Sequence, residues 1–217
     1  MIKAVLFDLD GTLVDSLADL AASADYALNK LGYKGHTAKE YQYFVGNGIP
    51  KLIERSLPEN ARDTQTVQKC LDIFMPYYKE HCDDKSYSYD GMPELVARLK
   101  NLGYKTAVIT NKAQEMAEKV VLRLIGDSFD IVCGKREGYP AKPNPKLTLK
   151  VMEELGVKPH ECAFVGDSDT DMKTAVNSGA VPIGVLWGYR TKKEIKENGA
   201  KFIVSNAEEI LQILNNL

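Results

Sequence analysis

Ala4-Val5-Leu6-Phe7-Asp8-Leu9-Asp10-Gly11-Thr12-Leu13 joins a short apolar run to a pair of carboxylates. Residues 2–7 are mostly apolar and partly β-branched. A run this short predicts a strand buried on both faces rather than a helix. Asp8 falls where the strand ends, and open parallel sheets bind ligands at the carboxyl ends of their strands. Asp8 and Asp10 bring two acidic groups to one place, and Gly11 lets the chain turn away sharply. Such carboxylates repel unless a metal or a shared proton compensates. The bland alternative is a solvated turn, since Asp and Gly are common turn residues.

Outward from this stretch the pattern becomes helical. Leu17, Leu20, Ala21, Ala24, Ala27, Leu28 and Leu31 follow helical spacing and predict a helix over residues 15–31, closed by Gly32. Thr37, three residues before Glu40, is a candidate N-cap for a helix over 37–45. Gly46-Asn47-Gly48 breaks it; helices are expected again over 49–56 and 62–81, with a kink at Pro76, which lacks an N–H. From Gly91 helix and strand alternate. Strands are expected over 106–109, 129–132, 163–165, 181–186 and 202–204. Helices are expected over 92–101, 113–124, 145–155, 170–178 and 207–214. This order predicts an α/β fold: a Rossmann-like parallel sheet core with a small all-helical cap domain inserted after the first strand. The core is expected over 1–14 and 86–217, and the cap over 15–85. A chain of 217 residues is long enough for both.

With 44% hydrophobic and 27% charged residues, the composition is that of a soluble globular protein. A formal net charge of −2 provides no bulk attraction for nucleic acid or an anionic membrane, and neither is expected as a partner. No apolar run is long enough to span a bilayer. The N-terminus enters a strand directly, with no targeting segment expected, so the expected compartment is the cytoplasm. Cys70, Cys82, Cys133 and Cys162 form no C-x-x-C pair and match no zinc spacing. Buried reduced thiols are expected there, and surface positions for His36, His81 and His160. Oligomeric state leaves no sequence signal.

Three further features fall just after expected strands: Thr110-Asn111, Lys142-Pro143 and Gly166-Asp167-Ser168-Asp169-Thr170-Asp171. In a parallel sheet they share one edge with Asp8. Clustered carboxylates with oxygen partners suit Mg²⁺. Lys142 and Thr110 suit phosphoryl oxygens, as charge and as hydrogen-bond donor. An aspartate can act as nucleophile, and a second carboxylic acid can protonate a leaving oxygen and then activate water. Individually, Thr110 or Asn111 reads equally well as a helix N-cap, and Lys142 as a solvated loop lysine. Asp167 to Asp171 resembles the start of an EF-hand loop, but Met172 and Ser178 stand where Gly and Glu are required.

Taken together these motifs resemble the haloacid dehalogenase superfamily in its phosphatase branch. Asp8-Leu9-Asp10-Gly11-Thr12 matches its first motif, Thr110-Asn111 its second, Lys142-Pro143 its third, and Gly166-Asp167 through Asp171 its fourth. The resemblance implies Asp8 as nucleophile and Mg²⁺ ligand. It implies Asp10 as general acid and base, with its backbone carbonyl on the metal. Thr110 and the backbone around Asn111 would hold the transferring phosphoryl, and Lys142 would balance charge around Asp8. Asp167 would bind Mg²⁺, with Asp171 supporting it directly or through water; Asp169 is outside the matching positions. The helical insertion resembles a cap that closes over substrate. Within it, Phe44-Val45-Gly46-Asn47-Gly48 resembles a loop of phosphoglycolate phosphatases, as does Leu186-Trp187-Gly188-Tyr189-Arg190 after the fifth strand. Gly46, Asn47 and Gly48 are therefore candidate substrate-binding residues, with a small phosphorylated metabolite, 2-phosphoglycolate, as the implied substrate.

Asp10 separates this branch from dehalogenases, whose halide leaves without a proton. A β-phosphoglucomutase-like phosphotransferase shares that acid, but its fourth motif usually carries an acidic residue where this chain has Gly166. A nucleotidase or pyrophosphatase stays open, because the cap sets the substrate. A phospho-aspartate regulatory binding protein also combines acidic residues, Thr and Lys on a parallel sheet. Receivers of that kind are shorter and carry no helical insertion.

Overall fold

The computed structural model describes all 217 residues. The chain opens with β1 (Ala4–Phe7) and the two-residue β2 (Val14–Asp15). Four helices follow: α1 (Leu17–Lys30), α2 (Ala38–Phe44), α3 (Ile49–Ser56) and α4 (Thr64–His81). After β3 (Tyr87–Ser88) come α5 (Met92–Asn101), β4 (Lys105–Ala113), α6 (Gln114–Leu124), β5 (Ile131–Lys135) and α7 (Lys146–Glu154). The chain ends through β6 (Cys162–Gly166), α8 (Asp169–Ser178), β7 (Val181–Val185), α9 (Lys192–Glu197), β8 (Phe202–Val204) and α10 (Ala207–Leu214). It divides into two compact units, Met1–Asp15 with Ser88–Leu217, and Ser16–Tyr87.

The first unit is built on a six-stranded sheet of order β5-β4-β1-β6-β7-β8. Every pairing is parallel, with Phe7 opposite both Val108 of β4 and Val165 of β6. Because side chains alternate along a strand, Ala4 and Leu6 of β1, Ala107 and Ile109 of β4, and Cys162 and Phe164 of β6 enter one core cluster. Leu147, Val151 and Met152 of α7 close that cluster. All four residues of β1 are buried, as a strand covered on both faces must be. The chain visits β4 on one side of β1 and β6 on the other. The crevice at that reversal lies beyond the carboxyl ends of β1, β4 and β6.

The second unit is helical. Leu20 and Ala24 of α1, Tyr41 of α2, Leu52 and Ile53 of α3, and Cys70, Phe74 and Tyr78 of α4 are among its buried side chains. Thr37 forms a capping box with Glu40 at the start of α2. The buried carboxylate of Asp19 accepts the Lys85 and Ser86 backbone N–H groups at 2.8–3.0 Å and the Ser86 hydroxyl at 2.6 Å. These bonds tie the first helix of the unit to its last residues.

Some boundaries differ from the sequence expectation. β4 continues past Ile109 to Ala113, with a register shift between those residues, so Thr110, Asn111 and Lys112 stand on the sheet rather than in a loop. Their polarity hid the strand. The N-cap of α6 is accordingly Ala113, without a side-chain bond, which rules out capping by Thr110 or Asn111. α4 starts at Thr64 because Asp63 accepts the Thr66 N–H. The short α9 was not expected. It is polar, but Thr191 and Glu194 make a capping box at its start. His36 is half-buried, its Nε2 2.7 Å from the Ser56 carbonyl, whereas a surface position was expected.

Candidate active site

Asp8 leaves the central strand with its N–H donated to the Val165 carbonyl at 2.9 Å, which fixes its backbone between β1 and β6. Asp167 follows β6, and Asp171 is in the first turn of α8. Ser168 caps that helix. Its hydroxyl accepts the Asp171 N–H, and Asp171 Oδ2 in turn accepts the Ser168 N–H at 3.1 Å and hydroxyl at 2.5 Å. The packing is close enough that a Cβ at Gly166 would stand 2.2 Å from Asp171 Cβ. Only glycine fits there.

One carboxylate oxygen from each of Asp8, Asp167 and Asp171 gathers within 4.8 Å. Lys142 Nζ reaches both Asp8 Oδ1 and Asp171 Oδ1 at 2.7 Å. Burial pushes the Asp8 carboxyl well above the ordinary range, with Asp171 adding and Lys142 opposing. Burial and then Asp171 push Asp167 up to about 7. Burial alone would discharge Lys142, but the two carboxylates outweigh it and raise its pKa. With all three carboxylates ionised, the single ammonium leaves two negative charges in a buried pocket. An oxygen-only donor set with that charge fits a hard divalent cation such as Mg²⁺. Asp169 is turned to Lys173 instead, at 2.7 Å on the same helix.

β4 supplies the next group. The Thr110 hydroxyl oxygen accepts the Lys112 N–H at 3.2 Å, leaving its own proton to be donated elsewhere. The Asn111 side chain grips the Lys142 backbone from both sides. Its Oδ1 accepts the Lys142 N–H at 2.8 Å and its Nδ2 donates to the Lys142 carbonyl at 3.3 Å. Asn111 thus holds the lysine loop, a role its sequence position did not reveal. Asp10 is not among the three clustered carboxylates; its Oδ1 is 2.8 Å from Lys112 Nζ. Lys112 was not singled out from the sequence. No sequence signal pointed to it, because the expected strand ended at Ile109.

The Trp187 segment braces the acidic loops. Trp187 Nε1 donates to the Thr12 carbonyl at 2.9 Å, and the Tyr189 N–H donates to Asp167 Oδ2 at 2.7 Å. The Thr12 hydroxyl donates to Asp167 Oδ1 at 3.3 Å. A Cβ on Gly188 would stand 2.2 Å from Asp167 Cβ and 2.3 Å from the Gly11 carbonyl. Gly11 itself has φ 89° and lies against the Asp167 carboxylate.

Gly46, Asn47 and Gly48 belong to the helical unit, between α2 and α3. Both glycines have positive φ, 106° and 84°. The Arg55 guanidinium holds this loop, donating to the Phe44 carbonyl at 3.0 Å and to Asn47 Oδ1 at 2.7 Å.

Comparison with known proteins adds to this geometry. A family model described as haloacid dehalogenase-like hydrolase matches residues 5–185. A phosphoglycolate phosphatase of Aquifex aeolicus (strain VF5) is 30% identical over 217 residues, covering 99% of this chain and 97% of its own. A phosphoglycolate phosphatase of Neisseria meningitidis serogroup A is 34% identical over 220 residues, covering 98% and 94%. A solved structure from Lactobacillus delbrueckii subsp. bulgaricus matches with a TM-score of 0.92 at 31% identity, covering 98% of both chains.

Proposed function

Because this chain belongs to the haloacid dehalogenase-like hydrolases, we propose that it is a Mg²⁺-dependent phosphatase of small phosphorylated metabolites, 2-phosphoglycolate first among them. The observation that carries the reading is the buried cluster of Asp8, Asp167 and Asp171 with the Lys142 ammonium between Asp8 and Asp171.

The chain's own residues divide the work. The Asp8 carboxylate attacks phosphorus, and the bond from phosphorus to the ester oxygen breaks, leaving an aspartyl-phosphate. Asp10 gives its proton to the departing alkoxide. Asp10 then takes a proton from water as that water attacks phosphorus, which frees Asp8 and inorganic phosphate. The Thr110 hydroxyl and nearby backbone N–H groups hold the phosphoryl oxygens. Lys142 stays charged and opposes the protonation of Asp8 that burial favours, with Asn111 holding its backbone. Mg²⁺, held by Asp8, Asp167, Asp171 and the Asp10 backbone carbonyl, would neutralise the carboxylates and draw charge from the phosphoryl group. The helical unit is proposed as the cap, with Gly46, Asn47 and Gly48 contacting substrate.

The relatives' names support phosphoglycolate as substrate. The mutase reading is disfavoured at Gly166, where an acidic side chain has no room beside Asp171. The four cysteines are buried thiols outside any disulfide, which suits the cytoplasm as the proposed compartment. The test is phosphate release from phosphoglycolate, hexose phosphates, nucleotides and pyrophosphate, with Mg²⁺ and with EDTA. The expected result is Mg²⁺-dependent turnover that prefers phosphoglycolate and vanishes in Asp8→Asn. Turnover by Asp8→Asn above background refutes the nucleophile assignment.

A further inference from the structure

Lys112 has no part in the motifs that led to the site, yet its side chain is 2% exposed and its ammonium stands 2.8 Å from Asp10 Oδ1. We propose that Lys112 is a positioning residue that holds the Asp10 carboxylate in its working place. The proposal rests on the reading of Asp10 as the acid and base of a phosphatase.

The backbone of Asp10 is fixed by its bridge to Val14, and Gly11 beside it turns at φ 89°. Neither feature sets the direction of the Asp10 side chain, which is 20% exposed and carries its own rotamer freedom. Lys112 meets it from a different element. It stands on β4, the strand beside β1, and its backbone N–H is bonded to the Thr110 hydroxyl. A lysine on a sheet, with its stem packed and buried, is a stiffer anchor than a solvated one. Burying an ammonium is costly without a paired carboxylate, so the contact is made deliberately by the fold. The claim concerns where the carboxylate stands, not when it carries its proton. Thr110 and Lys112 stand on the same strand end, joined by the bond from the Lys112 N–H to the Thr110 hydroxyl. A single rigid element thereby sets both the group that meets the phosphoryl and the group that aims the acid.

The discriminating experiment uses two esters. An alkyl phosphate needs a proton on its leaving oxygen; p-nitrophenyl phosphate does not. In Lys112→Met, kcat/KM for the alkyl ester, which reports aspartyl-phosphate formation, should fall by about tenfold to a hundredfold. For p-nitrophenyl phosphate kcat/KM should stay within about threefold; kcat does not discriminate, because the second step, with Asp10 as base, is common to both esters. In an Asp10→Asn background the same substitution should cost less than about threefold further, because the group it positions is gone. Equal losses of kcat/KM on both esters, or a full loss added to that of Asp10→Asn, overturn the proposal. If Lys112→Met does not fold, Lys112→Arg carries the test. It retains a cation for Asp10, and the alkyl-to-aryl rate ratio must stay within about threefold of the parent; a larger fall overturns the proposal. Absence of Mg²⁺-dependent release by the parent protein overturns the phosphatase reading with it. A parent that turns over while the variants lose kcat/KM on both esters alike overturns the Lys112 assignment alone.

Discussion

Divalent cation binding at the acidic cluster should depend on pH in a way the geometry sets. Asp167 has its pKa raised to about 7, first by burial and then by Asp171. A cation needs that carboxylate ionised, so it competes with one proton below pH 7. With a pKa of about 7, roughly one site in eleven has Asp167 ionised at pH 6, and roughly ten in eleven at pH 8. Cation affinity should therefore rise about tenfold between pH 6 and pH 8, which is about 1.4 kcal/mol of binding free energy. Asp8 is raised by the same burial and acts in the same direction, so tenfold is the lower figure. For a chain of this size, 1 kcal/mol moves the thermal midpoint by about 2–4 °C. The assay is a thermal melt with saturating Mg²⁺ and with EDTA at both pH values. The Mg²⁺-induced rise in Tm should be about 3–6 °C larger at pH 8. The cation-free protein behaves oppositely at this group. A carboxyl with a raised folded pKa stabilises fully below about pH 4, and that contribution is lost as pH climbs to 7. Comparing with and without Mg²⁺ at each pH separates the two effects. A Mg²⁺-induced shift equal at both pH values, or larger at pH 6, would refute the reasoning.

Two substitutions probe the supports of the cluster. Gly188→Ala places a methyl against Asp167 Cβ and the Gly11 carbonyl. It should destabilise the protein by about 1–3 kcal/mol in a denaturant melt and weaken Mg²⁺ binding by calorimetry; unchanged cation affinity would show that the brace does not position Asp167. Asn111→Ala strips the Lys142 backbone of both side-chain bonds and leaves a buried N–H unpaired. It should cost about 1–3 kcal/mol in stability and lower kcat more than it raises KM; an intact kcat would mean that Lys142 finds its place without the amide.

Periodicity and motif spacing made most of the fold legible. α5 and α10 start and end where the pattern placed them, Met92–Asn101 and Ala207–Leu214, since apolar spacing and a starting signal agree there. β4 was cut short because Thr110, Asn111 and Lys112 are polar. Strand propensity carries no information about polar residues whose partners are other buried groups. β5 begins at Ile131 rather than Phe129, where pairing with β4 overrides local preference.

By itself the sequence determined an α/β alternation, a helical insertion after the first strand, and the order of the acidic, hydroxyl and basic motifs. Those are properties of local pattern, written in neighbouring residues. The tertiary structure alone decided which atoms meet. It set Lys142 between Asp8 and Asp171, turned the Asn111 amide onto the Lys142 backbone, and aimed Lys112 at Asp10. It also packed Gly188 against Asp167. Asp10 and Lys112 are far apart in sequence and adjacent in space because β1 and β4 pair in the sheet. No reading of neighbours along the chain contains that pairing.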